Sequence, residues 1–208
     1  NFLGGKGANL SEMGRMGLPV PPGFTISTKV CEIFYKDKKR LNSKLISQIK
    51  REIKVIEKDV SKKFGDLKNP LLLSVRSGAR VSMPGMMDTI LNLGLNDRTV
   101  VALAKKTSNG RFAKDSYRRF IQMYANVVMD VESYNFEELI ENYKLTKGVL
   151  LDTDLDEKDW DGLINDFKNV IREKTNKEFP QDVYHQLFGA ISAVFLSWES
   201  KRAKVYRK

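Results

Sequence analysis

The sequence predicts an α+β chain, with an α/β part as far as about residue 96 and a helical part after it. Three observations carry this. Loops rich in Gly and Pro break up the first half, and an apolar run of strand length, "LLLSV", stands at residues 71–75. Beyond Asn96 the strand signals stop, and apolar residues recur every three or four positions in four successive stripes.

In chain order, Ala8, Leu10, Met13 and Met16 keep helical spacing and Gly17 stops the run, so "GGKG" is the loop that opens a first helix. Three prolines exclude helix from "LPVPPGFTIS", which delivers a short extended "FTI" before Ser27 or Thr28 caps a helix to about Arg40. From Ser43, the residues Leu45, Ile46, Ile49, Ile53, Ile56, Val60 and Phe64 predict a long amphipathic helix ended by Gly65. "LLLSV" then reads as a strand covered on both faces. Two Gly, one Pro and three Met make residues 77–88 a loop, and "TILNLGL" resumes as a strand.

The helical part has four stripes. Tyr117, Phe120, Ile121, Tyr124 and Val128 form the first; Phe136, Leu139, Ile140 and Tyr143 form the second, with Asn135 and Glu138 spaced as a capping box. Trp160, Leu163, Ile164, Phe167 and Ile171 form the third. Val183, Leu187, Ile191, Phe195 and Trp198 form the fourth. The expected division is 1–96 as an α/β lobe, 97–182 as a helical subdomain, and 183–208 as a long helix returning to the first lobe.

Composition narrows the function classes. With 208 residues, 41% of them hydrophobic, the chain can bury a core. No apolar run reaches the roughly 18–20 residues of a spanning helix, so the expectation is a cytoplasmic chain without a membrane role. One Cys and one His cannot assemble a zinc site or an internal disulfide. The formal charge of +10 is spread over helix-surface positions with Asp and Glu interleaved, and no finger, RNP-like or helix-turn-helix signature accompanies it. That pattern reads as a solvated face rather than a nucleic-acid groove. A start without Met, with a glycine motif from the fourth residue, suggests a piece of a longer protein.

Two short stretches carry chemistry. In "GGKGANL", small residues permit close backbone approach, a helix amino end offers free N–H groups to an anion, and Lys6 adds a mobile positive charge. The alternative is an ordinary turn with a surface lysine, and GxxxxGK[ST] is absent. Arg76 follows four apolar residues and ends a strand, where its guanidinium could bind phosphate oxygens in two places. The alternative is a structural arginine paired with a carboxylate such as Asp88. In "GARVSMPGMMD", Gly78 and Gly85 are permissive, Pro84 stiffens, and Met83, Met86 and Met87 give soft apolar cover able to close over a nucleotide.

"GGKGANLSEMGRMGLPVPPGFTIST" together with "SVRSGARVSMPGMMDTILNLGLND" resembles the amino-terminal nucleotide-binding region of the pyruvate phosphate dikinases. "SYRRFIQMYANVVMDV" is similar to the same family more loosely. The resemblance implies the amino-terminal part of an ATP-grasp domain with an inserted or appended helical subdomain. It implies an enzyme that interconverts ATP, phosphate and pyruvate with AMP, pyrophosphate and phosphoenolpyruvate, using Mg²⁺ and a phosphohistidine on a separate swivelling domain. Carried over residue by residue, Lys6 and Arg76 contact ATP, Arg76 with a catalytic part, and Gly85, Met86 and Met87 cover the terminal phosphates. Metal-binding carboxylates, a second phosphate-contacting arginine and the phosphorylated histidine are expected outside this chain, together with a second ATP-grasp lobe and a pyruvate-binding domain.

The resemblance further implies a homodimeric full-length enzyme, with these 208 residues alone monomeric and inactive. A basic surplus then fits one cationic wall of a cleft whose other wall is acidic. "DVYHQLF" does not resemble the family's histidine motif, so His185 is expected to be structural or on the surface. Cys31 is expected to be a small apolar residue at a helix start, and Asp115, Arg118 and Arg119 to be surface charges. Two other readings stay open: a pyruvate, water dikinase, which carries a more acidic sequence after the strand, and a basic binding module without chemistry.

Overall fold

The computed structural model describes residues 3–78 and 89–199, and within them the chain is a helix-rich α+β protein. Eight α-helices and four short strands are present among these residues. They divide into two compact units. Of the described residues, one holds 3–62, 75–78, 89 and 191–199; the other holds 63–74 and 90–190.

The first unit contains α1 (Gly4–Arg15), α2 (Thr28–Lys36) and α3 (Ser43–Val60), with the last turns of α8 (Val183–Ser197). Asn42 starts α3 by accepting the N–H of Leu45 at 2.9 Å. The α3 stripe then buries Ile49, Ile53 and Ile56. Phe34 of α2 is buried against Phe195, their ring centres 5.1 Å apart, and the Tyr35 hydroxyl donates to the Phe195 carbonyl at 2.8 Å.

Four expectations change here. The stripe of Ala8, Leu10, Met13 and Met16 does not face a core: Leu10, Met13 and Met16 are exposed, and α1 buries only Gly4 and Gly7. "FTI" forms no strand among the described residues, because no neighbouring segment hydrogen-bonds to it as a ladder. α2 stops at Lys36, with Lys38 and Lys39 in left-handed conformation. α3 stops at Ser61, also left-handed, whose N–H reaches Glu57 and Lys58 carbonyls, so Phe64 lies beyond the helix.

The second unit begins with two small sheets. β1 (Lys63–Phe64) pairs in parallel with β2 (Pro70–Leu71), Phe64 opposite Leu71. β3 (Leu73–Val75) pairs with β4 (Ile90–Leu93). The expected single strand at 71–75 is therefore two short ones. Nor is it covered on both faces, since Ser74 is exposed between half-buried Leu73 and Val75.

Helices supply the core of this unit: α4 (Thr99–Thr107), α5 (Gly110–Val128), α6 (Tyr134–Lys147), α7 (Glu157–Thr175) and the first half of α8. A one-turn 3₁₀ helix at Asp152–Asp154 lies between α6 and α7. The ring of Phe179 stands edge-on to Tyr117, Phe120 and Tyr124, all four buried, and Phe136 meets Phe167 at 4.8 Å. Burial pushes the phenols of Tyr117 and Tyr124 well up from their ordinary range. The Asn135/Glu138 capping box is absent: Ser133 is the N-cap of α6 and makes no side-chain cap bond, while the Asn135 amide donates to the Glu132 carbonyl.

Polar side-chain atoms buried in this unit are bonded, with Trp160 Nε1 as the exception among the described residues. Gln186 is fully buried; its Nε2 donates to the carbonyls of Leu95 and Pro180 at 2.9 and 2.8 Å, and its Oε1 accepts the Gly94 N–H at 3.1 Å. Thr99, equally buried, donates to the Gly94 carbonyl at 2.7 Å. Gly94 itself sits at φ 105, with Phe64 and the Leu71 carbonyl so close that a β-carbon would strike both. Among the described residues, no helix is long and apolar enough to cross a membrane.

Candidate functional site

The two glycine-bearing motifs meet within the first unit. α1 opens at Gly4, which has φ +68 and a backbone packed against Gly78: a β-carbon at residue 4 would lie 2.9 Å from the Gly78 carbonyl carbon and closer still to its oxygen. The restriction is one-sided, since a β-carbon at Gly78 would meet the Leu3 carbonyl oxygen at an ordinary contact distance of 3.4 Å. One turn later Gly7 lies against Thr25, where a β-carbon would come within 2.8 Å of Cγ2. Missing side chains at residues 4 and 7 thus let "GGKG" pack directly against "RSG" and "FTI".

Lys6 is the third residue of α1 and is half-buried. Leu3, the N-cap, offers no side-chain bond to the helix, and the first turn holds no acid. The amino end of α1 is therefore cationic at Lys6 and carries N–H groups that no capping side chain takes up.

Arg76 follows β3 directly. Side chains alternate along an extended backbone, so Arg76 shares the exposed side with Ser74 while Ser77 turns inward and is buried. Among the described residues no hydrogen bond or ion pair engages its guanidinium. Its expected structural partner Asp88 lies outside the described residues, as do Gly85, Met86 and Met87. The structure thus brings the segments of Lys6 and Arg76 together through Gly4 and Gly78. No local signal announces that contact, because its halves are separated by more than seventy residues.

The remaining candidates fall elsewhere. His185 is exposed on α8, and its N–H donates to the capping carboxylate of Asp182 at 2.6 Å. Cys31 is half-buried within α2. The expectation of surface charges at 115, 118 and 119 holds only for Arg119. Arg118 is buried, pairs with Asp115 at 2.8 Å and Asp152 at 3.1 Å, and lies over the Trp160 ring at 4.5 Å. The helical stripe conceals this, because Arg118 follows Tyr117 on the packed side of α5 and finds its second carboxylate 34 residues away. Among the described residues no group of three or more His, Cys, Asp or Glu could hold a metal ion.

Comparison with known proteins agrees with the two motifs. The family model for "Pyruvate phosphate dikinase, AMP/ATP-binding domain" matches residues 1–51 and 39–208. Pyruvate, phosphate dikinase of Clostridium symbiosum is 54% identical over 209 residues, covering 100% of this chain and 24% of the relative. The Entamoeba histolytica enzyme is 51% identical, with 100% and 23% covered, and the chloroplastic enzyme of Mesembryanthemum crystallinum 53%, with 100% and 22% covered. The chain spans about a quarter of the length of these relatives. With its whole length matched by the family model and the glycine motifs in contact, the chain belongs to the pyruvate phosphate dikinase AMP/ATP-binding domain family.

Proposed function

We propose that this chain supplies one cationic wall of the ATP site of a pyruvate phosphate dikinase. The observation that carries the reading is the Gly4–Gly78 approach, which joins the amino end of α1 to the segment of Arg76. Lys6 would neutralise and draw in a polyphosphate as a mobile point charge. Arg76, exposed and with its fork unoccupied among the described residues, would fix the phosphate oxygens bidentately and oppose charge that develops as a phosphoryl group leaves. Gly85, Met86 and Met87 belong to this reading as the cover over the terminal phosphates.

The wider proposal follows the family. The fold would be the amino-terminal part of an ATP-grasp domain, with 1–96 as its lobe, 97–182 as a helical subdomain, and 183–208 as a helix returning to the lobe. The whole enzyme would interconvert ATP, phosphate and pyruvate with AMP, pyrophosphate and phosphoenolpyruvate through a phosphohistidine on another domain, and would act as a homodimer. Mg²⁺ would be held by carboxylates outside this chain. These 208 residues alone would bind ATP weakly and turn nothing over.

The test is made in a dikinase that includes this chain. Lys6→Leu and Arg76→Leu should each slow the nucleotide partial reaction and leave exchange at the pyruvate site unchanged. Unaltered nucleotide chemistry in both variants would sink the reading, as would pyruvate-dependent AMP production by the 208 residues alone.

A further inference from the structure

The second unit carries a concentration of charge that the nucleotide reading does not use. The loop Leu67–Asn69 and the end of α4 wall an open groove of about 510 Å³, lined by Leu67, Lys68, Asn69, Ala102, Lys105 and Lys106. Its lining holds three ammonium groups, one amide and no carboxylate. Buried Ala102 and half-exposed Leu67 add apolar surface between them.

None of these ammonium groups enters an ion pair among the described residues, although the Asp66 carboxylate feels the charge of Lys68. Asp66, the closest carboxylate along the chain, is turned to the backbone: its Oδ1 accepts the N–H groups of Lys68 and Asn69, both at 2.7 Å. Those bonds, Asn69 first, hold its carboxyl below the usual range. The end of α4 does not need the lysines either, because the carbonyls of Ala104 and Lys105 accept N–H groups from Asn109 and Ser108, and the Leu103 carbonyl accepts the Thr107 hydroxyl. Among the described residues neither Lys68 nor Lys105 enters an ion pair. Lys106 reaches across to the Asn69 side-chain oxygen, which takes one of its three N–H bonds.

We propose that this groove binds a small multivalent oxyanion of the pyrophosphate class, held between Lys68 on one wall and Lys105 and Lys106 on the other. The site uses only residues of the second unit and none assigned to the nucleotide.

Two-dimensional amide spectra of the ¹⁵N-labelled chain, titrated with sodium pyrophosphate at low ionic strength, test this directly. Low salt is needed because exposed lysines are screened over about 10 Å at 0.1 M. The expected result is saturable shifts at residues 67–69 and 102–109. Their affinity should fall at least tenfold in Lys68→Ala/Lys105→Ala and stay unchanged in Lys44→Ala/Lys54→Ala, which removes equal charge from the exposed face of α3. Non-saturating shifts in the groove, or equal weakening in the two charge-matched variants, would overturn the site and leave diffuse attraction to a +10 chain. Amides at residues 4–8 and 76–78 report separately on the nucleotide reading, so failure of one is distinguishable from failure of the other.

Discussion

The backbone of Gly4 rests against the carbonyl of Gly78, with Gly4 at φ +68 and no room at residue 4 for a β-carbon. This contact holds the Lys6 helix to the Arg76 segment.

Gly4→Ala should therefore be damaging twice over, through left-handed backbone and through collision with Gly78. A loss of about 1–3 kcal/mol is expected, with weakened ATP binding. Gly14 lies in the same helix with open space where a methyl group would point, so Gly14→Ala should instead gain about 0.5–1 kcal/mol. Urea unfolding of both variants checks the contrast; equal effects would mean that the Gly78 contact is immaterial.

Arg118 and Arg119 are adjacent in sequence and opposite in consequence. Arg118→Met should cost about 2–4 kcal/mol, somewhat under the usual penalty for breaking a buried pair, because Asp115 keeps Arg119 and Asp152 keeps Lys144. Arg119, 60% exposed at its side chain, should cost under about 1 kcal/mol when changed to Met. Denaturant midpoints for the pair decide it.

Gln186→Leu keeps the volume and strands three backbone groups: the Gly94 N–H and the carbonyls of Leu95 and Pro180. A loss of about 2–4 kcal/mol is expected, with faster hydrogen exchange at the Gly94 amide. An unchanged exchange rate there would show that water replaces the side chain without penalty.

Asp156 caps α7 by accepting the N–H groups of Lys158 and Asp159, and bonds to Lys147. The Lys147 ammonium first, then the Asp159 N–H, hold its carboxyl down from 3.8 to about 2. A carboxyl depressed in the folded state stabilises above its unfolded value, and that contribution is lost as pH falls from 3.8 towards 2. Asp156→Asn, which can still cap, should flatten the fall in stability across this window. An identical acid profile would remove Asp156 from the acid response.

Elements whose cause is local were legible in the residues. The stripes at Tyr117–Val128 and Trp160–Ile171 became α5 and α7, with Trp160, Leu163, Ile164, Phe167 and Ile171 all buried. Of the two caps expected for α2, Ser27 and Thr28, Ser27 takes the N-cap position, without a side-chain cap bond. The two motifs also sufficed to indicate the family that the comparisons show.

Elements that depend on a distant partner were not legible. Phe64 continues the α3 period, yet the chain leaves the helix at Ser61 and pairs Phe64 with Leu71 in β1. Leu10, Met13 and Met16 have a core-like spacing and remain exposed, because α1 approaches its neighbours through glycines. Periodicity reports which residues share a face, since that depends on helical geometry alone. Whether the face is covered, whether Arg118 finds Asp152, and whether Gly4 finds Gly78 depend on contacts between residues far apart in the chain, and only the tertiary structure supplies those.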